Sequence, residues 1–147
     1  MSDIYDAKTF DPVSSVGYLV NRVRTALLDA MDAELAPLDI TAAQYIIMAQ
    51  VAYGLADSAS QICKSISYDP GAMTRMIDRL EAKGLVRRVR SAEDRRAVNL
   101  ELTPEGKAAF PKMRASVVVV LNRLLRGFTK SEARQFEGYL QRMLDNA

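Results

Sequence analysis

Five arginines lie within ten residues of this chain, and their type and spacing suggest the clearest chemistry in the sequence. They are Arg87, Arg88, Arg90, Arg95 and Arg96. A guanidinium is less strongly hydrated than an ammonium group, so it suits phosphate contacts and insertion into a narrow, electronegative minor groove. The cluster therefore indicates ionic recognition of a polyanion. A charged surface turn is the alternative interpretation.

Asp94 precedes Arg96 by two residues. This spacing predicts a charge-assisted hydrogen bond between the Asp94 carboxylate and the Arg96 guanidinium, which would hold the arginine in an extended pose. The acid in this basic stretch is therefore interpreted as an orienting partner.

A second pair of arginines falls in the stretch DPGAMTRMIDRLEAKG. Arg75 and Arg79 are four residues apart and share a helix face, where like charges disfavour an isolated helix unless phosphates lie between them. The alternative is a solvated helix on which Asp78 and Glu81 neutralise both arginines. The residues before and beside the pair let the helix start approach bases or phosphates: Pro70, Gly71, Ala72 and Thr74.

Composition argues against catalysis. The chain has no histidine, which removes the commonest general base and metal ligand, and its seven glycines form no phosphate-binding loop. We therefore expect no enzyme activity, no metal and no cofactor. The single cysteine, Cys63, cannot form an internal disulfide and fits a reducing cytoplasm.

Length, charge and hydropathy describe one domain in the cytoplasm. The 147 residues suffice for one core. The acidic start, MSDIYDAK, is no signal peptide, and the longest aliphatic run, 117–121, is too short to span a bilayer. Residues 1–60 carry a net charge of −5, 61–96 carry +4 and 97–147 carry +3. A polyanion would therefore meet the middle of the chain.

Hydrophobic periodicity predicts the elements that must position the arginines. Apolar residues at three- and four-residue steps predict helices, and strict alternation after Gly84 predicts two strands joined by a turn. The N-caps are expected at Thr41, Asp69, Thr103 and Thr129 or Ser131. The helices are expected at about 12–35, 41–54, 58–66, 70–83, 104–126 and 129–144, and the strands at about 85–90 and 97–103.

A helix–turn–helix pair followed directly by a β-hairpin is a winged helix–turn–helix. The expected fold is mainly α with this small hairpin, and Arg95 and Arg96 lie at the tip of the wing. Residues 39–103 are predicted to form the winged helix–turn–helix. Residues 1–38 and 104–147 are predicted to be flanking dimerisation helices.

The stretch SVVVVLNRLL supports a homodimer. It places Val117, Val118, Val119 and Val120 on every side of one helix. A helix that is apolar all round must be buried all round, and a chain of this size covers only one side. A strand is the alternative, but the start at Thr103-Pro104 and the helical spacing of the polar residues favour a helix.

The span from LAPLDITAAQ to LTPEG resembles the MarR family of bacterial transcription regulators. The resemblance rests on Leu38, Thr41 and Gln44, on PGAMTRMIDRLEAKGLVRR, and on Asp94-Arg95-Arg96 followed by Leu100-Glu101-Leu102-Thr103 and Gly106. It implies a dimer that binds a pseudo-palindromic operator on double-stranded DNA, with helix 70–83 in the major groove and Arg96 in the minor groove. It also implies a repressor that a small phenolic or aromatic-acid effector releases.

The effector site is expected between the dimerisation helices and the winged region. Its candidate anchors are Arg22 and Arg24 on the first helix and Arg88 at the base of the wing, because a guanidinium can bind a carboxylate through two hydrogen bonds. Two alternatives stay open. One is a redox-sensing regulator that uses Cys63, and the other is a winged-helix protein–protein interaction module that binds no DNA.

Overall fold

The structure, a computed structural model, describes residues 2–66, 68–94 and 96–147. The mainly α fold with one β-hairpin is confirmed, in the order expected from the sequence. The helices are α1 (Val16–Leu35), α2 (Ala42–Ala52), α3 (Ala59–Ile66), α4 (Pro70–Ala82), α5 (Pro104–Leu124) and α6 (Lys130–Asp145), and the strands are β1 (Val86–Arg90) and β2 (Val98–Leu102).

Side-chain caps determine where the helices begin. The caps predicted at Thr41, Asp69 and Thr103 are confirmed, and the last helix is capped by Thr129 and not by Ser131. The first helix starts later than expected, because residues 12–14 form a 3-10 turn and Ser15 then caps α1.

The core lies where α1 to α5 and the hairpin meet. α4 contributes one side of its surface to it, and α1 packs along α5. The largest fully buried side chains are Leu35, Ile47, Met48, Ile62, Met73, Ile77, Leu80, Val86 and Val120. Burial of aliphatic groups at about 25 cal/mol per Å² makes this cluster the main source of stability.

A two-residue segment pairs with the hairpin beside its second strand. β1 and β2 pair antiparallel from Val86 opposite Leu102 to Arg90 opposite Val98. The segment before α3 joins the outer edge of β2, where the Leu100 amide donates to the Asp57 carbonyl at 2.6 Å and Ser58 bridges Asn99. The sequence did not predict this pairing, because two residues are too few to show the alternation of apolar and polar side chains that marks a strand.

Gly106 forms the tightest junction between the winged region and α5. The Thr103 amide donates to the Leu85 carbonyl at 3.1 Å, and the Thr103 hydroxyl donates to the Gly84 carbonyl at 2.6 Å. These bonds bring the buried start of α5 so close that a Cβ on Gly106 would lie 2.0 Å from the Leu85 carbonyl oxygen. Only glycine fits there.

The last two helices leave much apolar surface uncovered in one chain. On α5, Val117 and Val120 are buried, whereas Val118 and Val119 remain 47% and 51% exposed. α6 buries none of its residues. Among the described residues no single helix has the length and hydropathy to span a membrane, although a bent pair (Val16–Leu38 with Ala42–Ala52) passes the same test of length and composition.

We expect Gly106→Ala to lower the free energy of unfolding by about 3 kcal/mol, the upper range for overpacking, because its methyl group meets backbone that cannot rotate away. Gly138→Ala is the matched control. Gly138 lies in α6 with nothing within 4 Å of an added Cβ, so alanine there should stabilise by up to about 1 kcal/mol. Urea unfolding measures both, and equal effects would contradict the tight junction.

Candidate nucleic-acid interface

α4 separates an apolar face from a polar one. Its buried face carries Met73, Ile77 and Leu80. Its exposed face carries the residues expected to meet DNA, Thr74, Arg75 and Arg79, together with Asp78. Pro70 and Gly71 are exposed at the start of the helix, and Ala72 is half-buried. Core packing therefore turns the predicted contact residues outward.

Arg75 lies over the first turn of α4. A Cβ built on Gly71 would be 3.2 Å from an Asp69 carboxylate oxygen and 3.5 Å from Arg75 Nη1. The Asp69 carboxylate itself accepts the Ala72 amide at 2.9 Å, and the Thr74 hydroxyl donates to the Pro70 carbonyl at 3.0 Å. The absence of a side chain at Gly71 thus leaves room for the Arg75 guanidinium over the first turn.

Arg88 joins the wing to α4. Its Nη2 lies 2.8 Å from Asp78 Oδ1, its Nη1 contacts the Glu81 carboxylate, and its backbone amide donates to Glu81 at 3.3 Å. The two acids expected to neutralise Arg75 and Arg79 are therefore bound by Arg88. Within the described residues, neither Arg75 nor Arg79 forms an ion pair with a carboxylate.

The turn of the wing is organised by Ser91 and Asp94. The Ser91 hydroxyl accepts the amides of Glu93 and Asp94, each at 3.3 Å, and Asp94 Oδ1 accepts the Arg96 amide at 2.9 Å. The expected bond from Asp94 to the Arg96 guanidinium is corrected, because an aspartate side chain reaches the backbone two residues on. Ser91 was missed from the sequence, although serine at a turn is a signal for this role.

The described arginines of the cluster differ in their pairing. Arg87 pairs with Glu101 across the hairpin, and Arg88 is bound by α4. Arg90 and Arg96 are exposed towards the tip. Arg95, also expected to bind DNA, lies outside the described residues. The structure thus presents two exposed groups of cations, one on α4 and one on the wing.

The sequence model of the MarR family matches residues 38–97. The multiple antibiotic resistance protein MarR of Escherichia coli (strain K12) is 33% identical over 134 residues, which are 90% of this chain and 91% of that protein. The chain belongs to the MarR family. The HTH-type transcriptional repressor MdtR of Bacillus subtilis is 30% identical over 121 residues, 82% of this chain and 76% of that protein.

Solved MarR-family structures share the architecture. A variant of E. coli MarR complexed with operator DNA has a TM-score of 0.77 and 30% identity, covering 97% of this chain and 99% of that one. The Mycobacterium tuberculosis family protein Rv2887, in complex with p-aminosalicylic acid, has a TM-score of 0.74 and 26% identity, covering 88% and 98%. The family and the winged-helix fold inferred from the sequence are both confirmed.

The three candidate effector anchors of this MarR-family chain are not equivalent. Arg88 is engaged by the Asp78 and Glu81 carboxylates, and its side chain is 32% exposed. Arg22 donates to the Tyr18 hydroxyl at 3.3 Å and lies 5.9 Å from that ring's centroid. Arg24 lines a cleft of about 350 Å³ between α1, α2 and α4, with Tyr68 and Met76 also on its walls.

An aromatic cluster holds α2 against α5, beside the winged region. Phe110 stacks on Tyr45 at a centroid distance of 5.7 Å and meets Tyr53 edge-on at 5.8 Å. Burial, and then the neighbouring Tyr53, raise the pKa of Tyr45. The hydrogen bond to Tyr53 raises the pKa of Arg114.

Cys63 packs half-buried against the core from α3. In the sequence its adjacent charge is Lys64, on the same helix. This placement agrees with a packing role for the thiol.

We expect Asp94→Ala to weaken DNA binding although it removes a negative charge from a basic wing, because it frees the Arg96 backbone. Glu93→Ala is the control, since it removes the same charge from an exposed neighbour whose carboxylate has no partner among the described residues. Fluorescence anisotropy with a labelled operator should show weaker binding for the first variant and unchanged or tighter binding for the second. Tighter binding by Asp94→Ala would refute the orienting role.

Proposed function

We propose that this chain is a homodimeric, sequence-specific DNA-binding regulator that represses transcription from a pseudo-palindromic operator. One observation carries the proposal. Arg75 and Arg79 stand on the exposed face of α4 while the nearby acids are held by Arg88. A basic face whose neutralising acids are engaged elsewhere suits a phosphate backbone. The operator complex of E. coli MarR and the repressor name of MdtR support the same function.

The uncovered apolar surfaces support the homodimer. On α5 the exposed side chains include Val118, Val119, Leu121 and Leu124. A groove of about 450 Å³ between α1 and α6 has an almost wholly apolar wall, in which Arg24 is the one charged residue among those that line it. A second copy would cover the apolar side chains of both surfaces and remove them from water. In this proposal residues 1–38 and 104–147 form the dimer and residues 39–103 bind DNA.

A two-fold dimer implies two recognition helices in successive major grooves, each near one half-site. Arg75 and Thr74, at the start of α4, are assigned to base edges and adjacent phosphates, together with Pro70, Gly71 and Ala72. Arg79 is assigned to the phosphate backbone. Arg90, Arg95 and Arg96 on the wing are assigned to the minor groove and its flanking phosphates, where groove width is recognised.

We expect Arg75→Ala to cost roughly 1–3 kcal/mol per half-site and to relax preference at one base pair. Arg96→Ala should weaken binding at all sequences and flatten the dependence of affinity on salt, because fewer counterions are released. Arg134→Ala is the control, since it removes an equal charge from a residue that pairs with Glu137 on α6. Anisotropy titrations at several salt concentrations measure all three.

The same titrations yield the stoichiometry, which should be two chains per duplex. Equal losses in Arg75→Ala and Arg134→Ala would contradict the role of α4. Duplex binding of the unmodified chain that is weak and independent of salt would instead favour the protein–protein interaction module.

For the effector, we propose a small aromatic acid in the Arg24 cleft. The cleft is lined by residues of α1, by residues 41–46 and by Met76 of α4, so its occupant would touch both a dimerisation helix and the recognition helix. Asp32 of α1 also lines the cleft, and one oxygen of its carboxylate accepts the Ala42 amide at 2.7 Å. A ligand shifts DNA affinity only if it binds the two arrangements of these elements differently. The p-aminosalicylic acid complex of Rv2887 supports the ligand class.

We expect p-aminosalicylate to raise the melting temperature of the free protein and to release labelled operator. Arg24→Met should abolish both effects, because the carboxylate loses its cation. Arg22→Met is the control and should keep both, since Arg22 is engaged by Tyr18. Operator binding unchanged at saturating ligand would refute the effector proposal and leave the DNA-binding proposal standing.

A further inference from the structure

Lys83, the C-cap of α4, reaches the turn between α1 and α2. Its Nζ donates to the Asp39 backbone carbonyl and, at 3.1 Å, to Gln44 Oε1, and it lies 3.6 Å from the Asp39 carboxylate. Lys83 and Gln44 are 39 residues apart in the chain. One ammonium group therefore joins the end of the recognition helix to the segment that follows the first dimerisation helix.

The acceptors are held in place without the lysine. Asp39 has a left-handed backbone with φ 56°, and its amide donates to the Ala36 carbonyl at 2.9 Å, which closes the turn. Gln44 is 3% exposed, and its Oε1 also accepts the Thr41 amide at 3.1 Å as part of the α2 capping box. The turn and the cap therefore each keep a bond of their own when the lysine is removed.

The turn is also joined to α1. Asp32, in the last turn of α1, accepts the Ala42 amide at 2.7 Å. α1 in turn packs along α5. A continuous polar path thus leads from the dimerisation helices through Asp32, the start of α2 and Lys83 to the end of α4.

We propose that Lys83 is a positioning residue, which fixes the distance and angle of α4 relative to α1. Its ion pair contributes little, because the Asp39 side chain is 94% exposed. The directional hydrogen bonds to the Asp39 carbonyl and to buried Gln44 carry the restraint. This proposal rests on the homodimeric operator binding proposed above. In a dimer, two such restraints set the separation of the two recognition helices.

The test compares operators whose half-sites are moved apart or together by one base pair. One base pair moves a half-site by about 3.4 Å and rotates it by roughly 34°. The unmodified protein should prefer one spacing by about tenfold or more, a difference of at least 1.4 kcal/mol. Lys83→Met keeps most of the side-chain stem and removes the donors. It should lower this preference several-fold, while affinity for a single half-site stays the same.

Lys83→Arg keeps a donor and should restore most of the spacing preference. Lys112→Met removes the same charge from an exposed residue of α5 and should leave the preference intact. A uniform loss of affinity at every spacing in Lys83→Met, or full retention of the preference, overturns the positioning role. If Lys83→Met fails to fold, Lys83→Ala, which also removes the donors, takes its place under the same criteria. An unmodified protein without any spacing preference overturns the homodimeric operator proposal itself.

Discussion

The bond from Arg88 to Asp78 and Glu81 is the interaction on which the basic surface depends. A helix with alternating arginines and acids would normally neutralise itself through neighbours three and four residues apart. Here one half-buried guanidinium from β1 engages both acids. These contacts hold the wing against α4. They also occupy Asp78 and Glu81, so that Arg75 and Arg79 on the outer face are not neutralised by these two acids. The Arg88 side chain therefore determines both the position of the wing on α4 and the positive charge of the outer face of α4.

The packing beneath α4 makes that arrangement rigid. Met73, Ile77 and Leu80 are buried on the inner face of the helix, and close-packed protein interiors tolerate little movement. The start of α5 is held against the backbone at Leu85 through the Gly106 contact. The winged region and α5 are therefore in direct contact through their backbones at this point.

The same packing leaves apolar surface exposed in a single chain. On α5, Val117 and Val120 are buried in the core, whereas Val118 and Val119 between them are exposed. α6 lies beside α1 with an apolar groove between them. The molecule thus divides into a closed, fully packed region around α4 and an open apolar region around α5 and α6.

Sequence alone determined the order of the elements, most helix starts, the wing and the family. Those features depend on interactions between residues close together in the chain. The caps at Thr41, Asp69 and Thr103 and the alternating pattern of residues 97–103 are examples, and the local sequence is enough to predict them. Tertiary structure decided which arginines are paired. The local sequence does not distinguish Arg88 from Arg75 as a partner for the acids of α4. Of the two, only Arg88 lies opposite two carboxylates once β1 packs on α4.

The same reason accounts for the other differences. Asp94 acts on a backbone amide because the closed turn brings that amide within reach. The Asp57 carbonyl extends the hairpin, and Lys83 meets Asp39 and Gln44 across about forty residues of chain. Such contacts join segments whose proximity depends on how the whole core packs, and no local pattern encodes them.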